Sequence, residues 1–433
     1  MKHIKLLSTV VLAGLSLTAF ADDSQATVQQ QAQLNSLSAQ ISQLQAQQKP
    51  GATVGSVLGN NVMFDTDDPF GMMSDTNFNL QILQARQSSG FNKPVVLGAY
   101  LEADPQVWWG SLNVPGATPG SSVYNNGSSL YLTTAKLYTL GNINNWVSTF
   151  FSLQPATTRF STTFDQAFIT FGDLSKNPLF LTIGRSYLPF GTFAGNGPWS
   201  NSITTNAFRT SMTNQINLGF YQNGLTLNFA LANSGTNAQN ISYDNNISDF
   251  VYNVYYTKSY ANSFNYSVGA SYLSDIRGLT NDVGGAYAAG NLTGGKNGAY
   301  DVNGSIGYKQ FILNAEYVST VNSATNANGT SNGIMSSWMT TLSYAPVLAG
   351  KITTFSIGYS GSNNMANVPY NLSGSFNTSP FTAQGQGFRN QWIAFVQRPV
   401  LFKNMYISPE IDYAQTYNNQ DTWTGTVDIS VYF

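Results

Sequence analysis

From Val95 onward the chain repeats one pattern, strand-length runs in which apolar residues alternate with polar or small ones. Alternation at period two sends the two side-chain sets to opposite faces of a β-strand. The clearest run is 225–231, with Leu225, Leu227, Phe229 and Leu231 on one face and Thr226, Asn228 and Ala230 on the other. Ile216, Leu218 and Phe220 answer it across Asn223-Gly224, a strong two-residue hairpin signal. Phe264, Tyr266, Val268 and Tyr272 alternate with Asn265, Ser267, Gly269 and Ser271, and the period recurs at 302–308, 311–317, 338–344 and 353–359.

The connections order these runs. Short turns fall near 141–145, 172–178, 222–224, 260–263, 309–310, 345–351 and 398–403. Long polar loops fall near 104–128, 154–163, 188–213, 234–248, 274–299, 320–335 and 361–387, with a shorter one near 417–422. Short and long alternate without a break, as in barrels with tight turns on one side of a membrane and long loops on the other. The pattern predicts an all-β transmembrane barrel of about 16 antiparallel strands over 95–433, with both ends periplasmic. In the last run Val427, Ile429, Val431 and Phe433 alternate with Thr426, Asp428, Ser430 and Tyr432. A final amphipathic strand ending in Phe433 resembles the assembly signal that barrel-assembly machinery recognises.

Three segments precede the barrel. Residues 1–21 read as a signal peptide, with Lys2 and Lys5, an apolar stretch from Val10 to Leu17, and an Ala19-Phe20-Ala21 cleavage site. Residues 22–50 are rich in Gln and Ala, and Leu34, Leu37, Ile41 and Leu44 fall at the 3-4-3 spacing of a coiled-coil seam. An isolated helix of that length is marginal in water, so a periplasmic arm joining copies, for example a homotrimer, competes with a Gln-rich tether. Residues 51–94 read as a linker or a lumen-facing or periplasmic segment, in which Phe78, Leu80 and Ile82 alternate as in a strand. Asp65, Asp67 and Asp68 could hold a hard cation through oxygen ligands, although they lack calcium-loop spacing and a solvated turn explains them better.

Composition supports the barrel and narrows the chemistry. Charged residues are only 9 % and aromatics 13 %, yet no apolar run beyond the leader is long enough for a membrane helix. Sparse charge combined with alternation is how a membrane barrel hides its hydrophobicity. The chain has no cysteine, and its single histidine is His3. That excludes disulfides, Cys or His nucleophile pairs and the usual zinc sites from the mature protein, and no cofactor is expected. No G-x-S-x-G motif is present either, so an enzyme is not expected. A formal net charge of −2 gives no basic footprint for nucleic acid.

Charge on the lipid face is costly, so charges within alternating runs are expected to point inward. This rule selects Glu102, Lys136, Lys309, Glu316, Arg389, Glu410, Asp412 and Asp428 as lumen-lining candidates, with acids outnumbering bases. Each could instead be a wall ion pair without a role in selectivity. Tyr260, Phe264, Tyr308, Phe311 and Tyr344 lie beside short turns, where an aromatic girdle belongs. Loop 188–213 is the third long loop, and third loops of sixteen-stranded porins commonly fold into the channel. Arg159, Arg185 and Arg209 near it are candidates for binding an anionic solute, because a guanidinium suits carboxylates.

Three stretches carry a resemblance: the Gln-rich seam from Val28 to Gln48, the acidic stretch from Asp65 to Gly71, and 184–193 with its Pro189-Phe190-Gly191 turn. Together they look like the legiobactin-receptor family of siderophore porins in Legionella, Coxiella and Francisella relatives. The resemblance implies uptake of ferric siderophore or iron through a barrel of roughly sixteen strands, without the plug of the energised receptors. A general diffusion porin for small polar solutes is the competing reading.

Overall fold

The computed structural model describes residues 62–64, 76–87, 94–112, 126–155, 162–233, 247–260, 263–368, 370–371, 382–383 and 387–432. The expected signal peptide and coiled-coil arm lie outside these residues, as do Asp65, Asp67, Asp68, Arg159 and Phe433.

Sixteen antiparallel strands close into a barrel. They are β1 (Val95–Gly110), β2 (Gly127–Asn142), β3 (Val147–Pro155), β4 (Thr162–Phe171), β5 (Leu179–Ser186), β6 (Thr213–Gln222), β7 (Leu225–Asn233) and β8 (Ile247–Tyr260). There follow β9 (Phe264–Leu273), β10 (Ala299–Tyr308), β11 (Phe311–Thr320), β12 (Ser336–Tyr344), β13 (Thr354–Asn363), β14 (Phe388–Pro399), β15 (Met405–Thr416) and β16 (Asp421–Tyr432). Each strand pairs with its sequence neighbours, and β1 pairs with β16 from Tyr100–Tyr432 to Gly110–Thr422 to close the ring. The expected hairpin forms: Asn223 and Gly224 both take positive φ, and Gln222 faces Leu225.

The wall is apolar outside and polar inside. On β6, Ile216 and Leu218 are exposed outward while Gln215 and Asn217 are buried inward. On β13, Phe355 and Ile357 point out while Ser356, Ser360 and Ser362 point in. At about 25 cal/mol per Å² of apolar area, such an exterior is favourable against hydrocarbon and unfavourable against water. At the short-turn end the register aligns Tyr260, Phe264, Tyr308, Phe311, Tyr344 and Phe355 in one row across six strands. Phe311 and Tyr344 stack with ring centroids 4.6 Å apart, the geometry of a girdle at a membrane interface.

Two expectations are corrected. Residues Phe78–Gln87 form a helix, α1, not an alternating strand. Phe78 and Ile82 are one turn apart and share a helical face, and that face is buried against Val96, Tyr138, Leu140, Phe150 and Phe168. Phe78 meets Phe150 edge to face at 4.8 Å. The first long loop also starts later than 104, because β1 runs on to Gly110. Period-two alternation continues from Glu102 and keeps Asp104, Gln106 and Trp108 inward, while Thr133 is the extra residue of a bulge on the facing strand β2. Val62–Phe64 adds three parallel rungs to Val95–Leu97, the part of β1 that β16 does not reach.

The long loops bury an apolar cluster of their own. Leu188, Phe190, Phe193, Ile203 and Phe208 pack with Ile276, Leu279, Val283, Leu292, Met335 and Met365 at the long-loop end. Two short helices, α2 (Ile203–Phe208) and α3 (Asp282–Ala288), belong to this cluster. Substituting Leu218→Arg, outward and mid-strand, should cost roughly 2–4 kcal/mol of folding free energy in lipid bilayers. Denaturant titration in vesicles measures it, and a change under about 0.5 kcal/mol would contradict a lipid-facing position.

Candidate functional site: the constricted lumen

The segment between β5 and β6, residues 187–212, crosses the lumen and is tied to the far wall. Leu188 and Phe190 anchor its start, both fully buried. Gly191 then turns with φ +68°, where a Cβ would collide with the Glu316 carboxylate and the Phe193 ring. The turn aims backbone N–H groups at the wall. Thr192 and Phe193 N–H donate to Glu316 on β11 at 2.8 and 2.7 Å, and the Thr192 hydroxyl donates to the same carboxylate at 3.2 Å. Trp199 and Ser200 N–H donate to Glu410 on β15, each at 3.0 Å.

Neutral contacts fill the interval between these two acids. Thr341 on β12 donates to the Gly195 carbonyl at 3.1 Å, and Thr204 and Ser337 hydroxyls lie 2.8 Å apart. Ile203 N–H donates to Ser360 on β13, and Gln391 on β14 donates to the Asn201 carbonyl. The loop is thus bound to five consecutive strands, β11 to β15. Ser202 caps α2 by accepting from Thr205 N–H. Trp199 stacks on Tyr131 at 5.5 Å.

Helix α1 occupies the other half of the lumen, toward the short turns. Its Leu80 and Leu83 pack with Phe180 on β5, and Asn79 donates to the Thr182 hydroxyl at 3.0 Å. Thr76 donates to the Gly191 carbonyl at 2.7 Å, linking this segment to the loop. Arg86 donates to the Asn145 and Gly172 carbonyls of two short turns. Burial lowers its pKa, with Asp173 partly opposing.

Beside the loop a cavity of about 290 Å³ lies along β8 to β11. Thr192 and Ala194 of the loop border it, with Tyr255, Thr257, Ser259, Asn265, Ser267, Asn303, Ser305 and Asn314 among the wall residues. Its lining is hydroxyl and amide, with no charged side chain. The inward face of each strand is readable from period two, but no local pattern in the chain marks which strands border the cavity.

The other candidates distribute as follows. Glu102, Glu316, Glu410, Asp412 and Asp428 lie on the inward face and are buried. Lys136 is half-buried on the same face of β2 as Thr134 and Tyr138. Lys309 does not line the lumen: it takes φ +54° in the β10–β11 turn, with its ammonium 5.3 Å from the Tyr308 ring centroid. Arg389 is the exposed extra residue of a bulge between Phe388 and Asn390, which removes it from the inward row. Arg185 shares the outward face of β5 with Leu179 and Ile183. Arg209 closes α2 and lies over the Tyr187 ring at 5.3 Å. Neither arginine borders the cavity. Asp104 and Asp301, buried and inward, are missing from the sequence-derived set because β1 and β10 extend past their expected ends.

A closed antiparallel barrel crossed by an inward loop defines the class: the fold of outer-membrane channels. The outer-membrane channel DcaP of Acinetobacter baumannii superposes with a TM-score of 0.50 at 12 % identity, covering 78 % of this chain and 97 % of that one. That likeness is one of fold. By sequence, the family described as "Protein of unknown function (DUF3573)" matches residues 48–299, more than half of the chain, and the chain belongs to it. Among curated relatives, the UPF0422 protein lpl2888 of Legionella pneumophila (strain Lens) is 24 % identical over 300 residues, 61 % of this chain and 53 % of the relative. A UPF0422 protein of Coxiella burnetii is 27 % identical over 237 residues, 52 % of this chain and 50 % of the relative. The chain thus spans about half the length of these relatives.

Removing the Glu316 anchor gives a direct reading of the latch. Hydrogen bonds to a charged acceptor contribute about 1.5–3 kcal/mol each, so Glu316→Ala should speed amide exchange at Thr192 and Phe193 by at least about tenfold. Unchanged exchange at both amides would show that the apolar cluster alone holds the loop.

Proposed function

We propose that this protein is a substrate-selective outer-membrane channel. One observation carries the reading: a loop bonded to five consecutive wall strands crosses the lumen and borders a polar cavity of about 290 Å³ along β8 to β11. A general diffusion pore needs a wide water-filled lumen, whereas here the loop is bonded strand after strand across it. The apolar exterior and the aromatic row support insertion in a bilayer, with the short turns and both chain ends on the periplasmic side.

The solute we propose is iron, free or as a ferric siderophore, in line with the resemblance carried by 184–193. Wall chemistry narrows the form. Eight inward carboxylates, Glu102, Asp104, Asp249, Asp301, Glu316, Glu410, Asp412 and Asp428, are buried in the wall, against Lys136 as the inward base of the wall strands among the described residues. Such a field favours cations and neutral chelates and opposes carboxylate-rich anionic ones. A drug-sized ligand fills roughly 300–1,000 Å³, so a ferric chelate would pass only with the loop or α1 displaced. The N-terminal arm would join copies as a trimer, and Phe433 would present the assembly signal.

Planar-bilayer recording of the full chain is the test. Expected are small single-channel currents, a reversal potential favouring cations, and a concentration-dependent change in current on adding a ferric hydroxamate. A strain lacking the protein should lose growth on that chelate as iron source. Large, unselective conductance with unaltered iron uptake would assign a general diffusion porin instead.

A further inference from the structure

Where the barrel closes, its wall buries a group of carboxylate oxygens that hydroxyl donors satisfy only in part. Glu102 and Asp104 on β1 and Asp428 on β16 bring carboxylate oxygens within 4.8 Å of one another. They are 7 %, 0 % and 2 % exposed. Burying three carboxylates together is costly unless a cation or protons compensate.

Each carboxylate is held by a hydroxyl through one oxygen. Tyr100 donates to Glu102 at 2.7 Å, Thr133 donates to Asp104, and Ser430 donates to Asp428 at 3.2 Å. The second oxygens of Asp104 and Asp428 are buried without a partner. Next on the same face is Gln106, 3 % exposed. Its amide nitrogen donates to Thr426 at 3.0 Å, which fixes the carboxamide, and its Oε1 is also buried without a partner. Hydroxyls that hold a ligand through one oxygen and leave another open, as on Asp104 and Asp428, are the usual support of a metal site.

The backbone points to the same place. The β1–β16 ladder runs from Tyr100–Tyr432 to Ala103–Ile429 and resumes only at Gln106–Thr426. Asp104 and Pro105, opposite Val427 and Asp428, are absent from it, and proline has no N–H to donate. The closing seam therefore lacks rungs at the level of the acid cluster.

We propose that Glu102, Asp104 and Asp428, with the Gln106 carboxamide oxygen, bind one hard divalent cation that bridges the first and last strands. All-oxygen, carboxylate-rich ligation suits calcium or magnesium and not a soft metal. The ion bridges β1 and β16 where their ladder is broken and neutralises the wall beside Glu410, the second anchor of the loop. This role is independent of the solute carried, so its failure leaves the channel reading standing.

The test is calorimetric titration of calcium, then magnesium, into the EDTA-stripped full chain at pH 7.5. One site is expected, with a Kd in roughly the micromolar-to-millimolar range of oxygen-ligand sites. Asp104→Asn and Asp428→Asn should each weaken it at least tenfold and remain folded in EDTA, since each removes one of three like charges. Asp275→Asn, in a loop ion pair with Arg277, serves as the control and should bind as wild type. No binding of either ion up to about 10 mM, or equal binding by wild type and both seam variants, would overturn the proposal.

Discussion

Two carboxylates decide what kind of barrel this is. Glu316 and Glu410 accept four backbone N–H groups and one hydroxyl from a loop that enters from the opposite side. A loop crossing a lumen has no ladder to satisfy its backbone, and unpaired buried amides are expensive. The two acids supply the acceptors and thereby fix the crossing point. Thr341, Ser360 and Gln391 on the intervening strands then complete a tether along β11 to β15.

The rest of the interior follows from that crossing. With the loop held on β11 to β15, α1 takes the wall of β1 to β6, where Val96, Tyr138, Leu140, Phe150 and Phe168 give it an apolar bed inside an otherwise polar lumen. A cavity in the sector of β8 to β11 is lined by hydroxyls and amides. The long loops close over this arrangement through their shared apolar cluster.

Much of this was legible in the chain. Period-two alternation and the regular succession of short and long connections gave the sixteen strands, because one face of each must meet hydrocarbon. The Asn223-Gly224 turn and the aromatic row were equally readable. Three features were not. Phe78 and Ile82 satisfy both alternation and a helical turn, and only the bed on β1 to β4 selects the helix. The length of β1 past the expected loop start hid Asp104, and a bulge at Arg389 shifts parity and misplaced that residue. The Pro189-Phe190-Gly191 element, which carried the family resemblance, proves to be the turn that seats the loop on Glu316. Strand faces depend on local periodicity, whereas the loop's docking depends on partners more than a hundred residues away.

The loop's position across the lumen is the centre of this account, and the chain is suited to a direct check because it contains no cysteine. Thr204 and Ser337, 133 positions apart, place their hydroxyl oxygens 2.8 Å from one another. Cysteines at both sites should form a disulfide under mild oxidation in the folded, membrane-inserted protein, leaving neither thiol open to maleimide labelling. If both thiols stay reduced and reactive while the barrel is intact, the loop does not lie across the lumen.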